Sequence, residues 1–169
     1  LQEQTLTNAK AMADQFGKRG LRVPFGGTNT HLVNVDCTSI KGEDGTTLSG
    51  DHASRILDIV GIVINRNTIP GDKSALAPSG IRLGTPWITQ RGFDEKKTRE
   101  LVNIMADVIL ACAPHSVDTA RKGRQRRAKL DFKVLNDARL RIRKLTESAG
   151  IDFKPTKNGY PHFYYIDDK

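Results

Sequence analysis

Helical and strand-like stretches alternate along this chain in an order that excludes most sheet architectures. Residues 2–17 place Leu6, Ala9, Met12, Ala13 and Phe16 at helical spacing, with Gly17 and Gly20 marking the exit. "LRVPF" (21–25) and "HLVNVD" (31–36) read as short strands around the turn "GGTNT". Asp51 or Ser49 can cap a helix that runs to about Val60 with Ile56, Leu57 and Val60 inward. "GIVIN" (61–65) and "GIRLG" (80–84) read as strands on either side of an irregular loop. Asp94 and Glu95 open a strong helix with the stripe Leu101, Ile104, Met105, Val108 and Cys112, which Pro114 stops. A last helix over 131–148 carries Leu135, Ala138, Ile142 and Leu145 on one face, and the aromatic tail beyond it reads as an edge strand. This order holds too few β-α-β crossovers for a doubly wound parallel sheet. It predicts an α/β sandwich of two layers, a small, mostly antiparallel sheet with helices packed on it.

A chain of 169 residues, 37% hydrophobic and 27% charged, can bury one real core. No apolar run approaches the roughly 20 residues of a membrane span, and the first twenty residues lack the apolar stretch of a signal peptide. A start on Leu1 rather than Met suggests a piece of something longer. Cys37 and Cys112 are the only cysteines, so a disulfide framework is not expected and a reducing, cytoplasmic setting is the default. His31, His52, His115 and His162 lie far apart, without the spacing of a helical zinc pair, and no metal site is expected.

Within "SGIRLGTPWITQRGF" (79–93), Arg82 sits between Ile81 and Leu83, bracketed by Gly80 and Gly84. Arginine in so apolar a setting needs a partner. Either an acidic side chain of the protein pairs with it, or an anionic ligand does.

The net charge of +8 is local. Residues 121–144 hold eleven Lys/Arg against Asp131 and Asp137, a net +9, and the remainder nets −1. Such a segment, followed by Phe153, Tyr160, Phe163, Tyr164 and Tyr165, suits a nucleic-acid-binding module. The competing reading is a solvated helix face whose stripe packs on the domain. A third reading makes the basic arm and tail a contact between protomers.

Three stretches, "GGTNTHLVNVD" (26–36), "INRNTIPGDKSALAPSGIRLGTP" (64–86) and "TQRGFDEKKTRELV" (89–102), together resemble the C-terminal small domain of serine hydroxymethyltransferase, also called glycine hydroxymethyltransferase. The likeness is close over residues 1 to about 110. It is weaker over 130–147, and it does not extend to 113–129 or to the tail. It implies residues 1–112 as the small domain of a fold-type I pyridoxal phosphate enzyme, 113–130 as a basic linker, and 131–169 as the closing helix and tail. It further implies serine–glycine interconversion, with pyridoxal 5′-phosphate as cofactor and tetrahydrofolate as cosubstrate, in one-carbon metabolism.

By that resemblance Arg82 receives the carboxylate of serine or glycine, and Asn67 lies near the pterin ring of the folate. The plainer alternatives are a structural ion pair for Arg82 and a turn role for Asn67 before "IPGD". His31 reads as structural, since Asn29 and Thr30 stand where the family usually has Asp and Asn; Gly26 and Gly27 read as turn residues, and Arg91 and Gly92 as structural. No His-Lys pair follows a run of threonines, so the lysine that carries the cofactor is absent and no catalytic residue is assigned. The implied partners are the large domain of the same enzyme and further protomers in a dimer or tetramer. This chain alone is expected to be inactive.

Overall fold

The structure is a computed structural model that describes residues 1–121 and 123–149. Its first helix, α1 (Gln2–Lys18), buries Ala9, Met12, Ala13 and Phe16. Leu6 does not join that stripe and is exposed, while Thr5 and Asn8 take buried positions. The amide of Asn8 donates to Thr89 Oγ1 and to the Phe93 carbonyl, both at 2.9 Å. Two satisfied polar contacts let a polar residue replace an apolar one inside the core.

Strand β1 (Leu32–Asp36) follows. The expected strand at 21–25 does not form. Pro24 lacks a donor and opens a 3₁₀ turn, Pro24–Gly26, in which Phe25 takes φ 64 and Gly26 φ 73. Helix α2 (Gly50–Ile59) is capped by Ser49, whose Oγ accepts from the His52 amide. Of the two candidate caps, the structure uses Ser49.

The second strand differs from expectation as well. β2 is Asn65–Asn67, not residues 61–65. Gly61 ends α2 at φ +88, and Ile62 is drawn into the core. The backbone that meets the sheet is therefore the polar stretch after the apolar run. Strand β3 (Gly80–Gly84) lies in the middle, antiparallel to β1 on one edge and to β2 on the other.

A short helix that sequence reading did not separate, α3 (Pro86–Gln90), starts with Pro86 in its first turn. Next comes α4 (Glu95–Leu110), capped by Asp94, whose carboxylate accepts from the Lys97 amide at 2.8 Å. The last described helix, α5 (Phe132–Ser148), is capped by Asp131 and buries the expected stripe Leu135, Ala138, Ile142 and Leu145. Val33, Val35, Ile81 and Leu83 are buried in one cluster with α1, α2 and α4, and α5 packs on α4. This is the expected two-layer arrangement.

The segment read as a basic linker is an antiparallel hairpin, β4 (Ala113–Thr119) and β5 (Gly123–Lys129). It lacks the apolar alternation by which a strand is recognised, and its pairing is carried by backbone. The loop 41–47 docks on it, with both the amide and the hydroxyl of Ser116 donating to Asp44 Oδ2 at 2.8 and 2.7 Å. The edge strand expected in the tail lies outside the described residues.

Two glycines give opposite predictions. A Cβ on Gly50 would run into the Gly80 carbonyl, while a Cβ on Gly17, inside α1, would meet open space. Gly50→Ala is expected to destabilise the chain by about 1–3 kcal/mol through forced backbone movement. Gly17→Ala is expected to stabilise it by about 0.5–1 kcal/mol. Urea denaturation of both variants checks this, and equal midpoints would show that the close approach is relaxed at no cost.

Candidate functional site

Side chains alternate across a strand, so the registers sort the sheet into two faces. Ile81 and Leu83 face the core with Val35 and Val33 opposite them. Arg82 points the other way. Asn34 of β1 stands opposite it on one side and Asn65 of β2 on the other. The next row on this face is Asp36, Gly80 and Asn67.

The ion-pair reading of Arg82 can be checked directly. β1 brings one acid to this face, Asp36, and that carboxylate is already taken. It accepts from Arg22 Nε at 2.7 Å and from the Thr38 amide at 2.8 Å. Burial alone would raise the Asp36 pKa. The Thr38 and Arg22 contacts outweigh it and hold the carboxyl below its usual range. Among the described residues no hydrogen bond or ion pair reaches the Arg82 guanidinium, and Arg82 is exposed. Beside it opens a cleft of about 220 Å³, lined by Met12, Ile64, Asn65, Ile88 and Met105 among others. A free planar cation at the mouth of an apolar cleft can accept an anion bidentately.

The structure brings the two resemblance-derived residues together. Asn67 is opposite Gly80, two positions along β3 from Arg82, a diagonal separation of roughly 7–8 Å. Asn67 is half-buried, and its Nδ2 donates to the Thr68 carbonyl at 2.7 Å, which leaves its carbonyl oxygen as the open group. The loop after it is folded by Asp72, whose Oδ2 accepts from the Ile69 and Ser79 amides at 3.0 and 2.9 Å. Gly80 is required in this row, because a Cβ there would strike Ile69 Cγ2 and come within 3.0 Å of the Val35 carbonyl.

His31 lies just outside β1 with an exposed side chain. Its carbonyl accepts from the Thr85 amide at 3.1 Å, which ties the entry of β1 to the exit of β3. Arg91 places its guanidinium 4.8 Å from the centroid of the Trp87 ring. Asn34 and Asn65 were not singled out from sequence. Asn34 interrupts the apolar pattern of β1, and its buried Oδ1 has no partner among the described residues. That interruption is the one signal that could have marked it. No group of His, Cys, Asp or Glu among the described residues could hold a metal ion.

Two predictions follow from these partnerships. Asp36 has a lowered pKa, so its contribution to stability is present above the unfolded value of about 4 and is lost as pH falls through the folded value. Asp36→Asn is therefore expected to flatten the acid limb of a stability–pH curve measured by denaturation; coincident limbs for variant and parent would refute the assignment. Arg82→Gln, by contrast, removes no protein partner and is expected to change stability by no more than about 0.5 kcal/mol. A larger loss in the same measurement would restore the ion-pair reading.

Residues 1–105 match the family model described as serine hydroxymethyltransferase. The chain is 52% identical over 108 residues to "Serine hydroxymethyltransferase, mitochondrial" of Schizosaccharomyces pombe, covering 64% of this chain and 21% of that protein. It is 40% identical over 150 residues to the protein of the same name from Candida glabrata, covering 88% of this chain and 30% of that protein. A "Probable serine hydroxymethyltransferase, cytosolic" of Schizosaccharomyces pombe is 48% identical over 95 residues, covering 56% and 19%. The chain spans less than a third of the length of these relatives.

Proposed function

The chain belongs to the serine hydroxymethyltransferase family, and from that premise we propose that it is the C-terminal small domain of an enzyme that interconverts serine and glycine with transfer of a one-carbon unit to or from tetrahydrofolate. In this reading Arg82 receives the amino-acid carboxylate. The observation that carries it is the guanidinium of Arg82, which has no partner among the described residues and is aimed off the sheet between two asparagines while the acid on the same face is held by Arg22.

Two charge-assisted hydrogen bonds from the planar fork fix the carboxylate in position and in plane. A fixed carboxylate orients the rest of the amino acid, which is catalysis by positioning. Asn67 offers an amide to the heteroaromatic edge of the folate, and its diagonal place beside Arg82 supports a shared site for amino acid and cosubstrate. Pyridoxal phosphate, when bound, supplies the electron sink for bond cleavage. We assign its binding to the rest of the enzyme and assign no catalytic residue to this chain.

The rest of the enzyme is the first partner in this reading. Loops around the sheet expose large apolar side chains, Phe25 (86%) between α1 and β1, Trp87 (55%) just after β3 and Leu76 (89%) before it. Exposed apolar groups around a polar face suit burial by a further domain. A dimer or tetramer of the whole enzyme belongs to the same reading. Two buried thiols, Cys37 and Cys112, whose pKa values burial raises to about 12 and about 11, suit a reducing compartment, and the relatives include both mitochondrial and cytosolic forms. Among the described residues no helix is long and apolar enough to cross a membrane.

The test is complementation. This chain is co-expressed with the large domain of a relative that lacks its own small domain, and tetrahydrofolate-dependent cleavage of serine is assayed. Activity is expected, with Arg82→Ala lowering kcat/KM by about 10²-fold or more, since two charge-assisted bonds of roughly 1.5–3 kcal/mol each are lost. Arg82→Lys is expected to rescue only a minor part, because an ammonium cannot form the fork. Activity insensitive to Arg82→Ala would overturn the carboxylate role.

A further inference from the structure

The basic segment that stood out in the sequence does not behave as one unit in the fold. In its helical half two of the five cations, Arg141 and Arg143, are tied into ion pairs, and Lys133, Arg139 and Lys144 are exposed. Arg141 donates to Asp107 at 2.7 Å, to Glu100 at 2.8 Å and to Asp137 at 3.3 Å. Arg143 pairs with Glu147 at 3.1 Å, and Asp107 also holds Arg19 of α1 at 2.6 Å. The Arg141 pairs with Glu100 and Asp107 fasten α5 to α4, and the Arg19 pair fastens α4 to the end of α1, while the apolar stripe of α5 is buried. The helical half nets +3 of the +9, so most of the excess charge lies on the hairpin.

In the hairpin half, Arg121, Arg124, Arg126, Arg127 and Lys129 are exposed, and among the described residues none of them is paired with an acid. Arg124 and Arg126 share one face of β5, opposite Asp118 and Ser116. Arg124 is held in place rather than neutralised. Its Nε donates to Ser116 Oγ at 2.9 Å, and that hydroxyl in turn donates to Asp44 Oδ2 at 2.7 Å. The Asp44 carboxylate is further occupied by the Ser116 amide and the Thr46 amide. One edge of the Arg124 guanidinium is therefore anchored while its terminal nitrogens stay available.

Arg126, two residues on, stands roughly 6.6 Å further along the strand. Between these side chains and the docked 45–47 loop lies a notch of about 320 Å³, lined by Gly45, Thr46, Thr47, Ser116, Arg124, Gln125 and Arg126. The lining combines two cations with hydroxyl and amide groups and lacks large apolar side chains. That chemistry suits a phosphodiester with a neighbouring base or sugar and does not suit an acyl chain. The ribbon cannot enter a duplex groove freely, because one side of it rests on the 41–47 loop through Ser116–Asp44 and the close approach of Gly42 to the Pro114 carbonyl. A two-stranded reader of the major groove needs that freedom. An unpaired strand can instead follow the row of cations and leave one unit in the notch.

We propose that the β4–β5 hairpin, with the 45–47 loop, is a binding surface for single-stranded nucleic acid, gripped at the phosphate backbone by Arg124 and Arg126. The surface is separate from the sheet face that carries Arg82, and the proposal does not depend on the function assigned there.

The experiment measures retention of a labelled single-stranded RNA of mixed sequence by the full 169-residue chain between about 50 and 200 mM salt. Log affinity is expected to fall linearly with log salt. Arg124→Gln/Arg126→Gln is expected to reduce that slope by about 1.4, at about 0.7 per lost phosphate contact on a single strand. Arg126→Gln alone, which removes no hydrogen bond or ion pair among the described residues, is expected to reduce it by about 0.7 and keeps the test valid if the double variant is poorly folded. The control is Arg139→Gln/Lys144→Gln, which removes equal charge from the exposed side of α5 and is expected to leave the slope unchanged. Equal effects of the two double variants would overturn the proposal by showing diffuse attraction to net charge. Tighter binding to duplex DNA of the same sequence, or to phosphatidylserine vesicles, would overturn the choice of ligand. Salt-insensitive or absent retention would overturn it outright.

Discussion

Everything at the sheet face depends on β3 being held on both edges. Its register with β1 and β2 sets which of its five residues face the core, and a slip of one position would exchange Ile81 and Leu83 for Arg82. Burying an unpaired guanidinium costs far more than the two aliphatic side chains gain in the core, so this register has no close competitor. Two glycines make the central position possible. Gly50 and Gly80 meet backbone to backbone, which lets α2 start directly beneath the entry of β3, where the Gly50 amide donates to the Pro78 carbonyl at 2.9 Å. At the other end, Thr85 Oγ1 donates to the Thr5 carbonyl at 2.8 Å, and Thr89 Oγ1 donates to the Thr85 carbonyl at 2.8 Å. With Asn8 these groups form a buried polar seam that fixes where the chain leaves the strand. Arg82 is thus positioned by groups that never touch it.

The legible parts of this fold were those with apolar period and caps. α4, α5 and α2 announce themselves through stripes, α4 and α2 also through Asp94 and Ser49, and β1 and β3 through apolar alternation. What escaped was polar. β2 is Asn-Arg-Asn, and β4 and β5 are hydrophilic ribbons whose partners are backbone groups, so hydrophobic patterning carries no trace of them. The apolar run at 61–64 attracted a strand assignment that belonged to the three polar residues after it. Of the candidate site, Arg82 and Asn67 are singled out by resemblance alone. Their diagonal placement on one face needed the register. That Asp36 is unavailable to Arg82 needed Arg22, fourteen residues away, to be brought to its side.

The same point applies to charge. Residues 121–144 look uniform as a string, yet arginines in that string end in opposite situations. Arg141 meets Glu100 and Asp107, acids 41 and 34 residues earlier on α4. Arg126 meets none. Buried or half-buried ion pairs of this kind fasten helices together, whereas exposed unpaired cations contribute repulsion unless a counter-ion arrives. A fold that neutralises one cluster and leaves another pays for the second in stability, so the exposed cluster calls for a reason outside the domain's own packing.

On the proposed reading, the open sheet face serves both an exposed domain and a covered site. Asn34, Asn65, Asn67 and Arg82 are polar, so the face tolerates water, and the core behind it is complete without further cover. Covering by another domain changes the medium rather than the geometry. A guanidinium and a carboxylate about 4 Å apart attract by about 1 kcal/mol in bulk water and by about 4 kcal/mol at the effective dielectric of a protein surface. On the proposed reading, an arginine kept free of protein acids and fixed by a central strand gains most of its affinity when the rest of the enzyme closes over it. The buried Oδ1 of Asn34 beside it, which has no partner among the described residues, fits the same account, since such an acceptor is one that closure or ligand can satisfy. The small domain then contributes little binding alone and a large part of it in the assembled site, because the electrostatic work is done by excluding water from a geometry that the sheet had already set.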